Sequence, residues 1–293
     1  MLNTANRLEK NSMRKSPGTS NQTYKFKLSC QENIDQNKDT RSWITLMSQI
    51  DHTSGDYKIF KAFIVKIGNK NKLKDEYEIA SALNKHKLPN FIKFFCFFSC
   101  LNKLDEIDKN TSICSSSGDE QGIIVMSNYE LGQIDKYNWN RSNFDILKNV
   151  LKHIISSLLY AYEKYGFIHN DTHLGNILLK KSKKTNILYN HDIQLPGIGI
   201  LPVIMDFDRS KIAAIPNDPD GSKFVYADIQ RIFYLISSEL DIKTNLTDKI
   251  SILRTYISEN TPISKDVYNT LFNIIDSIEI SFIKSELKMP KWI

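Results

Sequence analysis

The 293-residue chain is 41% hydrophobic and 25% charged, the balance of an ordinary soluble globular protein with room for one large domain or two lobes around a cleft. Its formal net charge of +6 is mild for this length and gives no case for a nucleic-acid partner. The longest apolar run, Phe91–Leu101, is too short to span a bilayer and carries Lys93, and no apolar signal core stands near Met1, so a cytoplasmic protein with no membrane contact is expected.

The cysteines are Cys30, Cys96, Cys100 and Cys114, without zinc spacing, and read as buried free thiols. Residues 1–23 are polar, with Arg7, Lys10, Arg14 and Lys15, and read as a disordered tail. Strands are predicted at Tyr24–Cys30, Trp43–Met47 and Ile59–Ile67. Between the first two, Gln31–Arg41 is polar and has no glycine. A helix follows over Leu73–His86. Glu76 shares a face with Leu73, Ile79, Ala80 and Leu83, whereas Glu78 lies with Lys74, Ala82 and Lys85. Glu76 is therefore expected on the core side and Glu78, the alternative, toward solvent. Phe91–Cys100 and Gly122–Met126 read as strands flanking a polar insertion, Asn102–Gln121.

The clearest helix is Asn143–Tyr165, with Leu147, Val150, Leu151, Ile154, Ile155, Leu158, Leu159 and Tyr162 on one stripe and Gly166 at its end. His153 falls off the stripe and is expected to be exposed. Next comes Phe167-Ile168-His169-Asn170-Asp171-Thr172-His173-Leu174-Gly175-Asn176. Ile177–Lys180 and Ile200–Ile204 suit a hairpin whose long tip holds Lys180, Lys181, Lys183 and Lys184, and Asp206-Phe207-Asp208 follows. Ile212–Val225 reads as a loop, and Tyr226–Leu240 as a helix with Ile229, Ile232, Phe233 and Ile236 inward. Asp228 stands at its start, either as an N-cap carboxylate or as a brace for the loop around Asp171. Helices near Leu246–Ser258 and Asp266–Leu287 complete the chain.

The His169-x-Asp171 pair with Asn176 five residues on resembles the catalytic loop of the protein-kinase-like phosphotransferases. Val65-Lys66-Ile67, the helix with Glu76, the strand Ile123–Met126 running into Ser127-Asn128, and Asp206-Phe207 resemble that family's other parts, in the same order. The resemblance covers about Tyr24 to Leu240 and implies an α+β, bilobal kinase-like fold. Residues 24–131 would be an antiparallel N-lobe with one helix, and residues 132–293 a mainly helical C-lobe. It also implies ATP and Mg2+ as cofactors and Asp171 as the base for a substrate hydroxyl. Asn176 and Asp206 would be the metal ligands, and Lys66, held by Glu76, would grip the phosphates. Met126 and Asn128 would stand where the nucleotide base binds. His169 would support the loop, and His173 would touch the γ-phosphate or substrate.

The chain departs from the family's pattern at four places. Gln31–Arg41 has no glycine where a phosphate-binding loop would stand, and Asp208 replaces the third residue of Asp-Phe-Gly. His173 stands where Ser/Thr kinases carry Lys, and resembles the aminoglycoside and choline type. The segment from Asp206 to Asp228 is short. The expected function is that of a divergent serine/threonine-protein kinase, of the kind encoded by large DNA viruses, acting on a protein substrate. A small-molecule phosphotransferase or a weakly active kinase-like binding protein is the alternative.

Overall fold

A computed structural model describes residues 23–31, 41–54, 57–60, 63–100, 121–183, 186–240, 242–245 and 250–283. The expectations for the N-terminal tail, for nearly all of Gln31–Arg41 and for the insertion after Cys100 fall outside them.

Four strands open the described chain: β1 (Thr23–Gln31), β2 (Arg41–Ser54), β3 (Tyr57–Phe60) and β4 (Phe63–Asn69). Helix α1 (Lys70–Lys85) follows, then β5 (Phe94–Cys100) and β6 (Gln121–Ser127). The strands form one antiparallel sheet in the order β1-β2-β3-β4-β6-β5. Ile59–Ile67, expected as one strand, belongs to two, paired with each other through Ile59 and Ile64. No Gly, Pro, Asn or Asp marks that reversal, so the apolar pattern runs straight across it.

Helix α1 begins three residues earlier than its apolar period, because the Asn69 side chain accepts from the backbone N–H groups of Asn71 (3.1 Å) and Lys72 (3.2 Å). It buries Leu73, Glu76, Ala80 and Leu83. Gly122 of β6 lets it approach the sheet: a Cβ there would lie 2.9 Å from the Lys70 Cα. Cys96 on β5 is buried and disulfide-bonded, which corrects the expectation of free thiols. The two edge strands β1 and β5 also touch.

Helix α2 (Phe144–Tyr165) carries the next part of the chain. Every residue of its predicted stripe is buried, but so are Asn149, His153, Ser156 and Ser157 on other faces. Gly166 ends it with φ 66°, and its carbonyl accepts from Ala213 N–H at 2.7 Å. A Cβ at Gly166 would sit 2.7 Å from the Ala213 carbonyl oxygen, so glycine is required here on two counts. Next come β7 (Phe167–Ile168), β8 (Ile177–Lys181), β9 (Asn186–Leu188), β10 (Gln194–Pro196), β11 (Ile200–Ile204) and β12 (Lys211–Ile212). They pair antiparallel as β8 with β11, β9 with β10, and β7 with β12.

Helix α3 (Pro219–Glu239) starts seven residues before the predicted Tyr226, with Pro219 in its first turn. Then follow β13 (Ile242–Thr244), α4 (Ile250–Ser258), α5 (Lys265–Asp276) and β14 (Ile280–Ile283). The last predicted helix therefore stops at Asp276. Ile278, Ile280 and Phe282 alternate, and the chain turns into a strand that pairs with β13. The described residues thus form an α+β protein whose first part is an antiparallel sheet carrying α1 and whose second part holds four of the five α-helices.

His153 corrects a second expectation. It is fully buried, because β9, β10 and the turn between them fold back over α2 instead of forming a solvated tip. Its Nδ1 meets the Tyr189 hydroxyl at 2.7 Å and its Nε2 the Pro196 carbonyl at 3.0 Å. Asn90 Nδ2 donates to the same hydroxyl (2.5 Å) and to Ser157 (3.0 Å). Burial pushes the His153 imidazole below its ordinary range, and the Pro196 carbonyl opposes the shift only in part. The unfolded chain takes up a proton at about pH 6.5 that the folded chain refuses. This contribution to stability is therefore complete above about pH 6.5 and is lost as pH falls through it, at up to about 1.4 kcal/mol per pH unit. Urea melts between pH 6.5 and 5.5 should show a steeper loss for the native chain than for His153→Gln by about that slope. Equal slopes would show that His153 is protonated in the fold.

Candidate active site

Residues from three distant parts of the chain meet at one buried ammonium group. Lys66, on β4, places Nζ 2.8 Å from Glu76 Oε2 and 2.6 Å from Asp206 Oδ1. Glu76 is 1% exposed, and its other oxygen accepts from the Phe207 N–H at 3.3 Å. Burial raises the Glu76 carboxyl above its ordinary range, and Lys66 works against that shift. Glu78, the alternative partner, is exposed and faces Lys74 at 3.8 Å. Asp206 follows β11 with φ 66°, a left-handed conformation that is uncommon outside glycine. Phe207 is buried, its ring centroid 5.9 Å from Phe94, 6.1 Å from Phe91 and 5.7 Å from both Phe167 and His169.

The loop after β7 is held from inside. His169 Nε2–H donates to the Met205 carbonyl (3.0 Å) and Nδ1 accepts from the Asp171 N–H (3.3 Å), which fixes a neutral tautomer. Burial lowers its pKa, in keeping with that assignment. Asp228 lies inside α3 rather than at its N-cap, since the helix begins at Pro219. Its carboxylate accepts from the Asn170 N–H (3.1 Å) and the Thr172 hydroxyl (2.9 Å), so it braces the loop. Burial pushes that carboxyl upward, and His169 and these donors oppose it. Asn170 has φ 61°, which Asn tolerates. Asn176 is buried in a short 3-10 turn, Leu174–Asn176, where Nδ2 donates to the Asp171 carbonyl (3.0 Å) and its own carbonyl accepts from Met205 N–H (2.9 Å). These bonds put Asn176 beside Asp206, one residue past Met205.

The Asp171 carboxylate faces outward between two guanidinium groups, Arg231 at 3.1 Å and Arg209 at 3.7 Å. Sequence reasoning did not single out Arg231. The signal was its spacing: three residues after Asp228, it shares the face that meets the loop. The His173 ring has no hydrogen bond among the described residues and lies against Gly175, where a Cβ would come within 3.0 Å of it. Met126 is buried in β6, opposite Ile64 of β4, and Asn128 just beyond caps the Tyr129 N–H at 2.8 Å.

As a cation site, Asn176 and Asp206 offer hard oxygen donors of the kind magnesium takes. No group of three or more His, Cys, Asp or Glu side chains among the described residues could hold a metal by itself. Magnesium does not require one, since it is commonly bound by one or two protein oxygens together with substrate phosphates and water.

No family model matches the chain. Part of it is similar to the serine/threonine-protein kinase haspin of Bos taurus, 29% identical over 117 residues, 38% of this chain and 14% of that protein. It is also similar to uncharacterized protein ZK177.2 of Caenorhabditis elegans, 29% over 89 residues, or 29% of this chain and 30% of that one. Uncharacterized protein 098R of Invertebrate iridescent virus 6 is 34% identical over 76 residues, 24% of this chain and 13% of that protein. The chain thus spans less than a third of each relative. A solved structure of WaaP in complex with acyl carrier protein matches with a TM-score of 0.41 at 10% identity, over 79% of this chain and 86% of that one.

Asp228→Ala would leave the half-buried Asn170 N–H without an acceptor and remove one of the two oxygens that Thr172 meets. The expected loss is about 2 kcal/mol in denaturant melts. Glu78→Ala, at an exposed position, should stay within about 0.5 kcal/mol of the native chain. Equal losses would mean that Asp228 does not brace the loop.

Proposed function

We propose that the chain is a kinase-like phosphotransferase of bilobal kinase-like fold, with residues 24–131 as N-lobe and 132–293 as C-lobe. It transfers the γ-phosphate of ATP to the hydroxyl of a protein serine or threonine. One observation carries the reading: Lys66, Glu76 and Asp206 converge at 2.6–2.8 Å, with Asn176 tied to the residue before Asp206. A structural ion pair needs two partners. A lysine clamped between two carboxylates at the edge of a loop that presents a third, Asp171, is an arrangement for phosphate and cation chemistry.

In this reading Asp171 accepts the proton of the acceptor hydroxyl as its oxygen bonds to the γ-phosphorus and the bond to the ADP oxygen breaks. Neutral His169 and Asp228 hold the Asp171 backbone in place. Glu76 keeps Lys66 oriented, and Lys66 exchanges its bond to Asp206 for the nucleotide phosphates. Asn176 and Asp206 would hold magnesium, which would supply positive charge against those phosphates. Met126 and Asn128 stand on the strand end where the base would bind. The partial similarity to haspin supports this reading. A small-molecule phosphotransferase is the second reading, favoured by His173, whose half-buried ring lies against Gly175 with no hydrogen bond among the described residues.

The test has two arms. ATP with magnesium at about a hundredfold excess over Kd should stabilise the native chain by roughly 2.7 kcal/mol, and Asp206→Asn should abolish that shift. With radiolabelled ATP and a panel of protein and small-molecule acceptors, Asp171→Asn should lower transfer by about 10²–10⁴-fold without removing the thermal shift. A nucleotide shift without transfer to any acceptor would instead support a kinase-like binding protein.

A further inference from the structure

Helices α3 and α4 pack against each other, and an open cavity of about 440 Å³ lies between them. Its wall nearest the loop is Arg231, whose Nη1 is 3.1 Å from Asp171 Oδ1. Gln230, Tyr234, Ser251 and Arg254 line the rest, together with Ala227 and Ile250, and no Asp or Glu is among the described lining residues. Arg254 makes no ion pair with any described carboxylate. Two guanidinium groups, an amide and two hydroxyls therefore face a common space in which no carboxylate of the described residues stands. Arginine presents several donors in a planar fork, and Arg231 spends one nitrogen on Asp171. The remaining donors suit a carboxylate or phosphate oxygen pair.

The place of the cavity narrows what such a group belongs to. Arg231 stands between the cavity and the Asp171 carboxylate, so an anion seated there is not the reacting hydroxyl but a neighbour of it. An extended polypeptide advances about 3.3 Å per residue, which puts the anion a few residues from the acceptor. The cavity is open and partly apolar, with Ala227 and Ile250 in its lining and Tyr234 58% exposed, as suits a chain lying across it more than a small polar molecule. We propose that the Arg231–Arg254 groove is an acceptor subsite for a polypeptide carrying a carboxylate or phosphate close to the phosphorylated Ser or Thr. This rests on the phosphotransferase reading for its context, but binding can be measured without transfer.

The experiment uses the full chain and fluorescein-labelled serine peptides of one sequence, with Ala, Lys, Asp or phosphoserine at each flanking position. Fluorescence polarisation without ATP reads affinity. At one or two flanking positions the Asp or phosphoserine peptide should bind at least tenfold tighter than the Ala peptide. The gain should shrink as salt is raised. Comparing the two peptides tells a carboxylate source from a phosphate source. Arg254→Glu should erase that preference and favour the Lys peptide, and Arg254→Ala should erase it without favouring Lys. Arg254 is exposed, so both variants are expected to fold, with a melting curve as check. Equal affinities across the native panel, or an acidic preference that survives both substitutions, would overturn the proposal. So would an Arg254-dependent affinity for anionic vesicles or RNA that exceeds the affinity for acidic peptides. A parallel transfer assay separates the two readings: peptide preference without transfer removes the phosphotransferase and leaves the groove, and transfer without preference does the reverse.

Discussion

The ammonium of Lys66 is the constraint on which the arrangement depends. Its side chain is 10% exposed, and a charge so placed is tolerated only with partners at hydrogen-bond distance. Glu76 and Asp206 supply them from α1 and from the segment after β11, so one cation fixes the positions of three separate elements. Glu76 extends the network by accepting from the Phe207 N–H. The Phe207 side chain, pointing the other way, stacks on Phe94 of β5 and meets Phe167 of β7 edge-on. Polar and apolar contacts made by adjacent residues thus join the sheet-bearing part of the chain to the helical part.

Electrostatics in the loop follow from the same geometry. His169 touches Phe207 on one side and donates to Met205 on the other, and its complete burial favours the neutral form against the pull of Asp228 and the other nearby carboxylates. A neutral His169 lets its Nδ1 accept from the Asp171 N–H. Protonation would turn that acceptor into a donor facing a donor. The Asp228 carboxylate takes over the neighbouring Asn170 N–H and Thr172 hydroxyl. The 170–172 segment is therefore held, through backbone and the Thr172 hydroxyl, by His169, Asp228 and Asn176, all buried, while the Asp171 side chain stays outward.

How much of this was legible in the sequence depended on whether the signal was local. The stripe of α2 and the inward phase of Glu76 are properties of one helix, and helical period is enough to read them. The convergence of Lys66, Glu76 and Asp206 was legible only as an order of motifs, since no spacing places residue 66 beside residue 206. His153 misled because a single stripe assumes one buried face, whereas α2 is covered on a second side by Tyr189 and Pro196. The same non-local logic hid the pairing of β13 with β14 and the disulfide of Cys96. Arg231 was hidden differently. It is exposed as its position on α3 requires, and only the loop that crosses that face gives it a partner.

The charge around Asp171 brings the segment after Asp206 into the argument. A carboxylate offers about four lone-pair sites, and one well-made bond from Arg231 leaves room for an acceptor hydroxyl. Arg209, at 3.7 Å from the other oxygen, is the group an incoming acceptor would meet. It sits on a stretch held down by several contacts: the Arg209 carbonyl accepts from Asn170 Nδ2, Ser210 donates to the His169 carbonyl, and β12 pairs with β7. Ser222, a hydroxyl farther along, is fully buried and donates to the Pro219 carbonyl. Ordering of this segment is therefore supplied by bonds made on folding. A phosphate on Ser210 would break one of them, and Ser222 offers no accessible oxygen. The neutral Asn170 fits that design: its side-chain amide donates to the Arg209 carbonyl and needs no added charge to hold the segment.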